Sequence, residues 1–325
     1  MYLFSTTTTA DITPMNSPLV SVLIPAYNHE QYVKSTIQSI LMQDYPEIEL
    51  IIIDDGSMDN TLQIIKEMRD ECEKRFTRVD ISTQENQGTC VTLNRLISKA
   101  AGEYVLLIAS DDELLPGAIS AMVRQLESKP EAGLVVGRNV IMDSEGKTCF
   151  WDESRNNVYI PEKAKYLNFS DFLDATTYPT THPKWGTYEA LLQCNHIPNG
   201  YLIRKSILDQ IPPFTREAPL EDWWLMLQIA KISRIVSINK ETFRYRWHAA
   251  NTIKQKDRMR TYAQQTIEWE KKHIKGLKDK TWYRIHKRAK FKSQLLRFLF
   301  QKKISHKGRL IIKICRIPVY VSKCR

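Results

Sequence analysis

Residues 19–56 read LVSVLIPAYNHEQYVKSTIQSILMQDYPEIELIIIDDG, and the order of residue types in this stretch decides the fold. Leu19–Ile24 is an unbroken apolar, β-branched run that stops at Pro25. A run bounded in this way reads as a strand buried on both faces. Helical spacing follows at Val33, Ile37, Ile40 and Leu41, and a second strand, Glu49–Ile53, empties into Asp54, Asp55 and Gly56. Working outward, Asp59–Met68 reads as a helix with Asp59 or Ser57 as its cap. Arg78–Ser82 is a weaker third strand, Gly88–Ala101 a helix, and Tyr104–Ala109 a fourth strand that ends in Ser110, Asp111 and Asp112. Pro116 sits where a first helical turn tolerates it and opens Gly117–Leu126. Leu134–Val136 reads as a fifth strand. Strand and helix alternating this regularly predict an α/β fold, a mostly parallel sheet with flanking helices. Ligands of such sheets bind at the carboxyl ends of the strands, where both acidic clusters fall.

The rhythm is lost over 141–200, which is rich in Trp, Tyr, Asn, Pro and Thr and reads as irregular structure over the site. Order returns with Gly200–Leu208, a helix over Leu220–Ile232 opened by Pro219, and a strand over Ile235–Ile238. Residues 1–18 read as a flexible lead, without the basic start and apolar block of a secretory signal. No apolar run approaches the roughly 18 residues of a membrane span. Six cysteines without a CxxC pair fit reduced thiols and a cytoplasmic location, and argue against structural zinc. The net charge of +10 is uneven: residues 281–325 hold fourteen Lys and Arg and no Asp or Glu, so the body is mildly acidic. Ile285, Ala289, Leu296 and Leu299 recur there at roughly helical spacing, which predicts a basic C-terminal helical appendage. Such a helix can lie on an anionic membrane. Nucleic acid would accept the same charge, although no specific nucleic-acid partner is expected, and a solvated helix is the plain alternative.

Five segments together carry a resemblance. SVLIPAYNHEQYVKSTIQSIL (21–41), ELIIIDDGSMDNT (49–61), NQGTCVTLNRLISKAAGEYVLLIASDDELLPGAI (86–119), EDWWLMLQIA (221–230) and RYRWHAANT (244–252) resemble, in order, the motifs of family-2 glycosyltransferases of the bacterial cell-surface polysaccharide type. The resemblance runs from Leu19 to Thr252 and leaves the last seventy residues uncovered. It implies a GT-A domain over 19–252, with a nucleotide-sugar half (19–140) and an acceptor half (141–252), followed by the basic helical region 253–325. The implied activity is inverting transfer of a sugar from a nucleotide-diphosphate donor, a UDP-sugar, to a hydroxyl of a glycan or lipid-linked glycan. The implied setting is the inner face of the cell membrane, with the protein peripheral to it.

The resemblance also implies roles. Asp111 and Asp112 match the metal motif, where carboxylates hold Mn2+ or Mg2+ against a departing diphosphate. The form here is Ser-Asp-Asp, not Asp-x-Asp, which rests the ion chiefly on Asp112. Taken alone, paired Asp after a strand also cap a turn. Asp54 and Asp55 match the nucleotide-reading acids, with Pro25, Ala26, Tyr27 and Asn28 approaching base and ribose, and Gln87, Gly88 and Asn94 bordering the pocket. Tyr27 is equally explained by packing, and Asn94 by a helix surface. In Glu221-Asp222, Asp222 matches the catalytic base that takes the proton of the acceptor hydroxyl, with Glu221 orienting. By itself such a pair at a helix start is explained by the helix dipole. His248 matches a histidine near the diphosphate, as phosphate donor or metal ligand, or is an ordinary partly buried His. Arg244 and Arg246 are further phosphate candidates.

Rival enzymes are short of residues. PAYNHE contains no glycine, against both the dinucleotide fingerprint and the Gly-rich loop usual in sugar nucleotidyltransferases, and no P-loop is present. A non-catalytic membrane- or RNA-binding protein on the same scaffold would not need every acidic motif intact.

Overall fold

The computed structural model describes residues 17–274 and three short strands between residues 300 and 320. The apolar runs form the central strands: β1 Val20–Ala26, β2 Ile48–Asp54, β3 Arg78–Thr83 and β4 Tyr104–Leu107. Between them come α1 Val33–Leu41, α2 Thr61–Glu67, α3 Arg69–Arg75 and α4 Thr89–Lys99. The chain continues with β5 Glu113–Leu114, α5 Ala118–Glu127, β6 Ala132–Met142, β7 Thr148–Trp151 and β8 Asn157–Val158. Then follow α6 Phe169–Thr176, α7 Tyr188–Leu191, β9 Tyr201–Arg204, α8 Lys205–Leu208, α9 Glu221–Ile232, β10 Arg234–Arg246 and α10 Lys256–His273.

The strand order is β3-β2-β1-β4-β9-β6-β10-β5, with β7 and β8 branching from β6. β3, β2, β1 and β4 are parallel neighbours, as the alternation predicts. β9 then enters antiparallel to both β4 and β6. Beyond it β6 and β10 run parallel, at 11 and 13 residues much longer than the runs that signal them. The stretch 141–200, irregular by sequence pattern, contains α6, α7, β7 and β8. Its pattern is obscured because α6 packs on a second, aromatic-rich core with Trp151, Tyr166, Phe169 and Trp247, not on the main sheet cluster. β9 begins beside Gly200, which has φ +75°; a Cβ there would meet the Phe243 ring of β10 at 2.1 Å, so only glycine lets the chain pass that ring.

The main core is β1, β2 and β4 against α1 and α5: Val22, Ile24, Ile37, Ile40, Leu50, Ile52, Leu106, Ile119 and Met122 are all buried. Each such side chain contributes roughly 1.5–3 kcal/mol of burial. The amino ends of these strands are locked by one buried acid, Glu49. It accepts from Arg78 Nη1 at 2.9 Å, Ala101 N at 2.6 Å, Gly102 N at 3.1 Å and the Ser21 hydroxyl.

The chain divides into two compact units after Glu270, so most of α10 belongs to the first. In the second, β11 Phe300–Ile304, β12 Leu310–Ile314 and β13 Ile317–Tyr320 form a three-stranded antiparallel sheet, which sequence spacing did not anticipate. Ile285, Ala289, Leu296 and Leu299 lie outside the described residues, whereas α10 supplies a C-terminal helix. Among the described residues no helix is long and apolar enough to cross a membrane.

Candidate active site

The turns that leave β1 and β2 are stitched to each other. Asn28 takes φ +52°, a conformation Asn tolerates better than most residues. Its N–H donates to Ser57 Oγ at 3.0 Å and its Oδ1 accepts from Met58 N at 2.8 Å. His29 N donates to Thr61 Oγ1 at 2.8 Å, and Glu30 N to Asp59 at 3.1 Å. Tyr27 is left 44% exposed above this edge, free to lie against a planar ligand.

Asp54 and Asp55, read as equivalent in sequence, differ. Asp55 accepts from Gln84 Nε2 at 2.6 Å and from the N–H groups of Gln87 and Gly88 at 2.8 Å, so it shapes the loop into α4. Asp54 uses Oδ2 on Ser57 N and Thr83 Oγ1, while its Oδ1 is buried without a partner among the described residues. A buried carboxylate oxygen in that state invites an N–H or O–H from a ligand. Asn94 is spent elsewhere: its amide both donates to and accepts from the backbone of Phe214, at 2.9 and 2.8 Å. It therefore pins the loop before α9 and does not line the cleft described below.

At the end of β4 the structure brings together His29, Asp111 and His248, whose ligating atoms all lie within 4.8 Å of one another. His248 Nε2 is 2.9 Å and His29 Nε2 3.9 Å from Asp111 Oδ2, and Ser110 Oγ holds His29 Nδ1 at 2.8 Å. Burial works to raise Asp111, but the His248 hydrogen bond and the charge on His29 hold it below the usual carboxylate range. Burial pushes His29 down, toward the neutral imidazole that ligates metals. Asp112 stands outside this cluster. Its Oδ1 accepts from Arg246 N at 2.8 Å, and burial with the neighbouring Asp111 charge pushes it well above its ordinary value. Sequence weight rested the ion chiefly on Asp112; the convergent carboxylate is Asp111, and Asp112 ties its turn to β10.

The two arginines expected at phosphate are committed to the chain. Arg246 is 3% exposed and bonds the Asp111 carbonyl at 2.6 Å, Glu113 at 2.7 Å and Ser35 Oγ at 3.0 Å. Arg244 pairs with Glu113 and the Gly146 carbonyl, both at 2.6 Å. His29 is the residue sequence reasoning missed; its only signal was a place directly after the first strand, on the edge where Asp111 would fall.

Beside these strand ends lies a cleft of about 1040 Å³, bordered by Gln87, Gly88, Asn195, Glu221, Asp222 and Tyr245 among others. Glu221 and Asp222 begin α9, whose start is fixed by Leu220 N donating to Thr266 and by the buried Trp223 indole donating to Leu191 O at 2.7 Å. Asp222 is held in place, Oδ1 by Trp223 N at 2.6 Å and Oδ2 by Asn195 Nδ2 at 3.0 Å. Asn195 had no sequence signal. Burial, with the charge of Asp222 added, pushes Glu221 up to about 7. Burial raises Asp222 too, opposed by those two donors. Burial pushes the Tyr245 phenol up, and the charges of Asp112, Asp111 and Asp222 all add to that. Both acidic centres therefore act on one ring at the cleft.

The model of the family described as Glycosyl transferase family 2 matches residues 21–186, half of the chain. The chain belongs to this family. As a glycosyltransferase it is 28% identical over 246 residues to glycosyltransferase GlyG of Streptococcus pneumoniae, covering 73% of this chain and 74% of that one. Over other curated relatives it spans less of their length, 60% of one and 28% to 37% of others. Its fold is similar to that of the mannosyltransferase PcManGT from Pyrobaculum calidifontis in complex with GDP-Man and Mn2+, with a TM-score of 0.58 and 16% identity over 80% of this chain and 66% of that one. It is also similar to residues 1–349 of TarS from S. aureus in complex with UDP, with a TM-score of 0.53 and 17% identity over 93% and 98% of the two chains. The glycosyltransferase thus has the GT-A sheet that its motifs imply, with the acidic residues at the strand ends.

Proposed function

We propose that this glycosyltransferase moves a sugar from a UDP-sugar to a hydroxyl of a glycan or lipid-linked glycan, with inversion at the anomeric carbon. The observation that carries this reading is the pairing of two unlike acidic centres that both act on the Tyr245 ring: Asp111, held below the usual carboxylate range beside two histidines, and Asp222, held by two donors beside a carboxyl raised to about 7. Unlike environments for like groups mark a division of labour.

Asp222 is the base. Of the pair, Glu221 keeps its proton to the higher pH, partly because Asp222 is charged, so near neutrality Asp222 carries the negative charge. It takes the proton of the acceptor hydroxyl as that oxygen bonds to the anomeric carbon. The bond from that carbon to the diphosphate oxygen breaks on the opposite face, and the nucleoside diphosphate leaves with the electron pair. Asp54, through its open Oδ1, and Tyr27 receive the nucleoside. One carboxylate with two imidazoles suits Mn2+ better than Mg2+, which prefers oxygen throughout. Held by His29, Asp111 and His248, such an ion would offset the charge gathering on the leaving diphosphate. The likeness to chains bound to GDP-Man with Mn2+ and to UDP supports this donor class. The basic segment 281–325 supports a place at an anionic membrane surface.

The test is release of nucleoside diphosphate from a panel of nucleotide sugars, with and without chelator. Release is expected only with divalent metal, and Asp111→Asn is expected to lower metal affinity by more than about a hundredfold. Full turnover in excess chelator overturns the metal assignment; no release from any donor overturns the transfer itself.

A further inference from the structure

We infer that the acceptor is itself an anion, a glycan bearing phosphodiester or carboxylate groups, and that the unpaired cations around the cleft hold it. This deepens the proposed function and rests on that cleft being where transfer occurs.

Arg155 is the strongest sign. It adopts φ +66°, a conformation that a long side chain enters only under constraint. Its guanidinium lies 5.2 Å from the Phe172 ring and 5.3 Å from the Trp247 ring, on the border of the cleft. Lys254 Nζ lies 4.2 Å from the same Trp247 ring. Two cations thus share one indole, and among the described residues neither has an ion pair. Asp152, three residues before Arg155, spends its carboxylate on Ser154 N, Asn156 N and the Asn156 amide. Burial pushes the Lys254 ammonium down, and the charge of Arg155 adds to it.

The pattern continues along the cleft. Lys256 and Arg258, on the first turns of α10, border it without an ion pair among the described residues, where Arg258 donates to Tyr262 Oη and Gln255. Arg216 spends its guanidinium on the carbonyl and side chain of Gln87. Among the described residues that border the cleft the only acids are Glu221 and Asp222, and the first is pushed up to about 7. A wall of one sign in a mildly acidic body focuses field into the cleft and gathers anions there. The donor diphosphate does not account for it: the charge arising there is met at the His29–Asp111–His248 cluster, and these cations extend onto α10.

The experiment titrates the full chain, saturated with UDP and Mn2+, by calorimetry. The probes are a glycerol-phosphate oligomer, a glucuronate oligosaccharide and a neutral oligosaccharide of equal length. At least one anionic probe is expected to bind about tenfold or more tighter than the neutral one at low salt, with the advantage shrinking toward about 0.15 M ionic strength. Which anionic probe binds tells phosphate from carboxylate. Lys254→Gln and Arg258→Gln, both exposed and safe for folding, are each expected to weaken that probe about tenfold while UDP affinity holds. Equal binding of the neutral probe overturns the inference. So does an anionic probe that binds the UDP-free chain but not the UDP-saturated one, which would return these cations to the donor, or tighter binding of an RNA oligomer. Because binding is read without turnover, an enzyme inert toward every donor would strike the transfer reading and leave this measurement standing.

Discussion

The two ends of the central sheet each bury an acid, and they treat it in opposite ways. At the amino end Glu49 is fully buried, and four donors from three segments meet it: Ser21, Arg78, Ala101 and Gly102. At the carboxyl end Asp54 keeps one buried oxygen without a partner among the described residues, and Asp111 sits among imidazoles that can serve a cation as readily as a carboxylate. A buried polar group left open costs stability, about 1–3 kcal/mol. The chain fully satisfies the acid at the end that holds strands together and leaves an acceptor open at the end where the proposed site lies.

The sharpest way to break this contrast lies at the cleft. Asp222→Asn keeps the volume and one acceptor but cannot take a proton. Turnover is expected to fall about 10²–10⁴-fold while UDP affinity, measured by calorimetry, stays within about twofold. Weak UDP binding in the variant would move the pair to the nucleotide site. At the other end, Glu49→Ala should behave in reverse. Urea unfolding is expected to show a loss of about 2–3 kcal/mol, since four donors lose their acceptor, with kcat of the folded enzyme unchanged. Unchanged stability with lost activity would erase the distinction.

The smallest expected effect concerns Glu221, whose ordinary value is 4.5 and whose folded value is about 7. Folding favours its protonated form, so wild type loses stability as pH rises from about 4.5 and carries the full penalty above about 7. Glu221→Gln escapes that penalty. Its unfolding free energy should match wild type near pH 4.5 and exceed it above pH 7, by an amount on the order of 1–3 kcal/mol. A difference that does not change with pH would mean that Glu221 is not desolvated as described.

What the sequence made legible follows the same division. β1, β2 and β4 announce themselves because strands buried on both faces are apolar along most of their length, and the acids at their ends followed at once. The pairing of β9 between β4 and β6 was not legible, since it joins segments about a hundred residues apart and needs Gly200 to pass Phe243. Nor could adjacent residues be told apart on a turn. Asp111 and Asp112 exchange their expected weights only because the Arg246 backbone, 134 positions away, engages the second of them. Arg246 itself looked like a phosphate ligand because its partners, Ser35, Glu113 and the Asp111 carbonyl, are scattered through the chain. Asp55 and Asn94 misled for a like reason: their roles, shaping the 84–88 loop and pinning Phe214, exist only once those loops have folded.

The stitching of the two turns has a thermodynamic consequence. Asn28, His29 and Glu30 are each bonded to the segment 57–61, so the imidazole beside Asp111 and the open carboxylate of Asp54 travel on one stapled piece of backbone. A nucleotide that draws Asp54 toward it resets His29, and a cation that draws His29 resets Asp54. Linkage makes the two effects equal: whatever factor the ion contributes to nucleotide affinity, the nucleotide returns to the ion. Under the proposed reading, in a cell where neither is saturating, occupancy of this edge depends on the product of the two concentrations, and the enzyme would answer to its metal supply as steeply as to its donor.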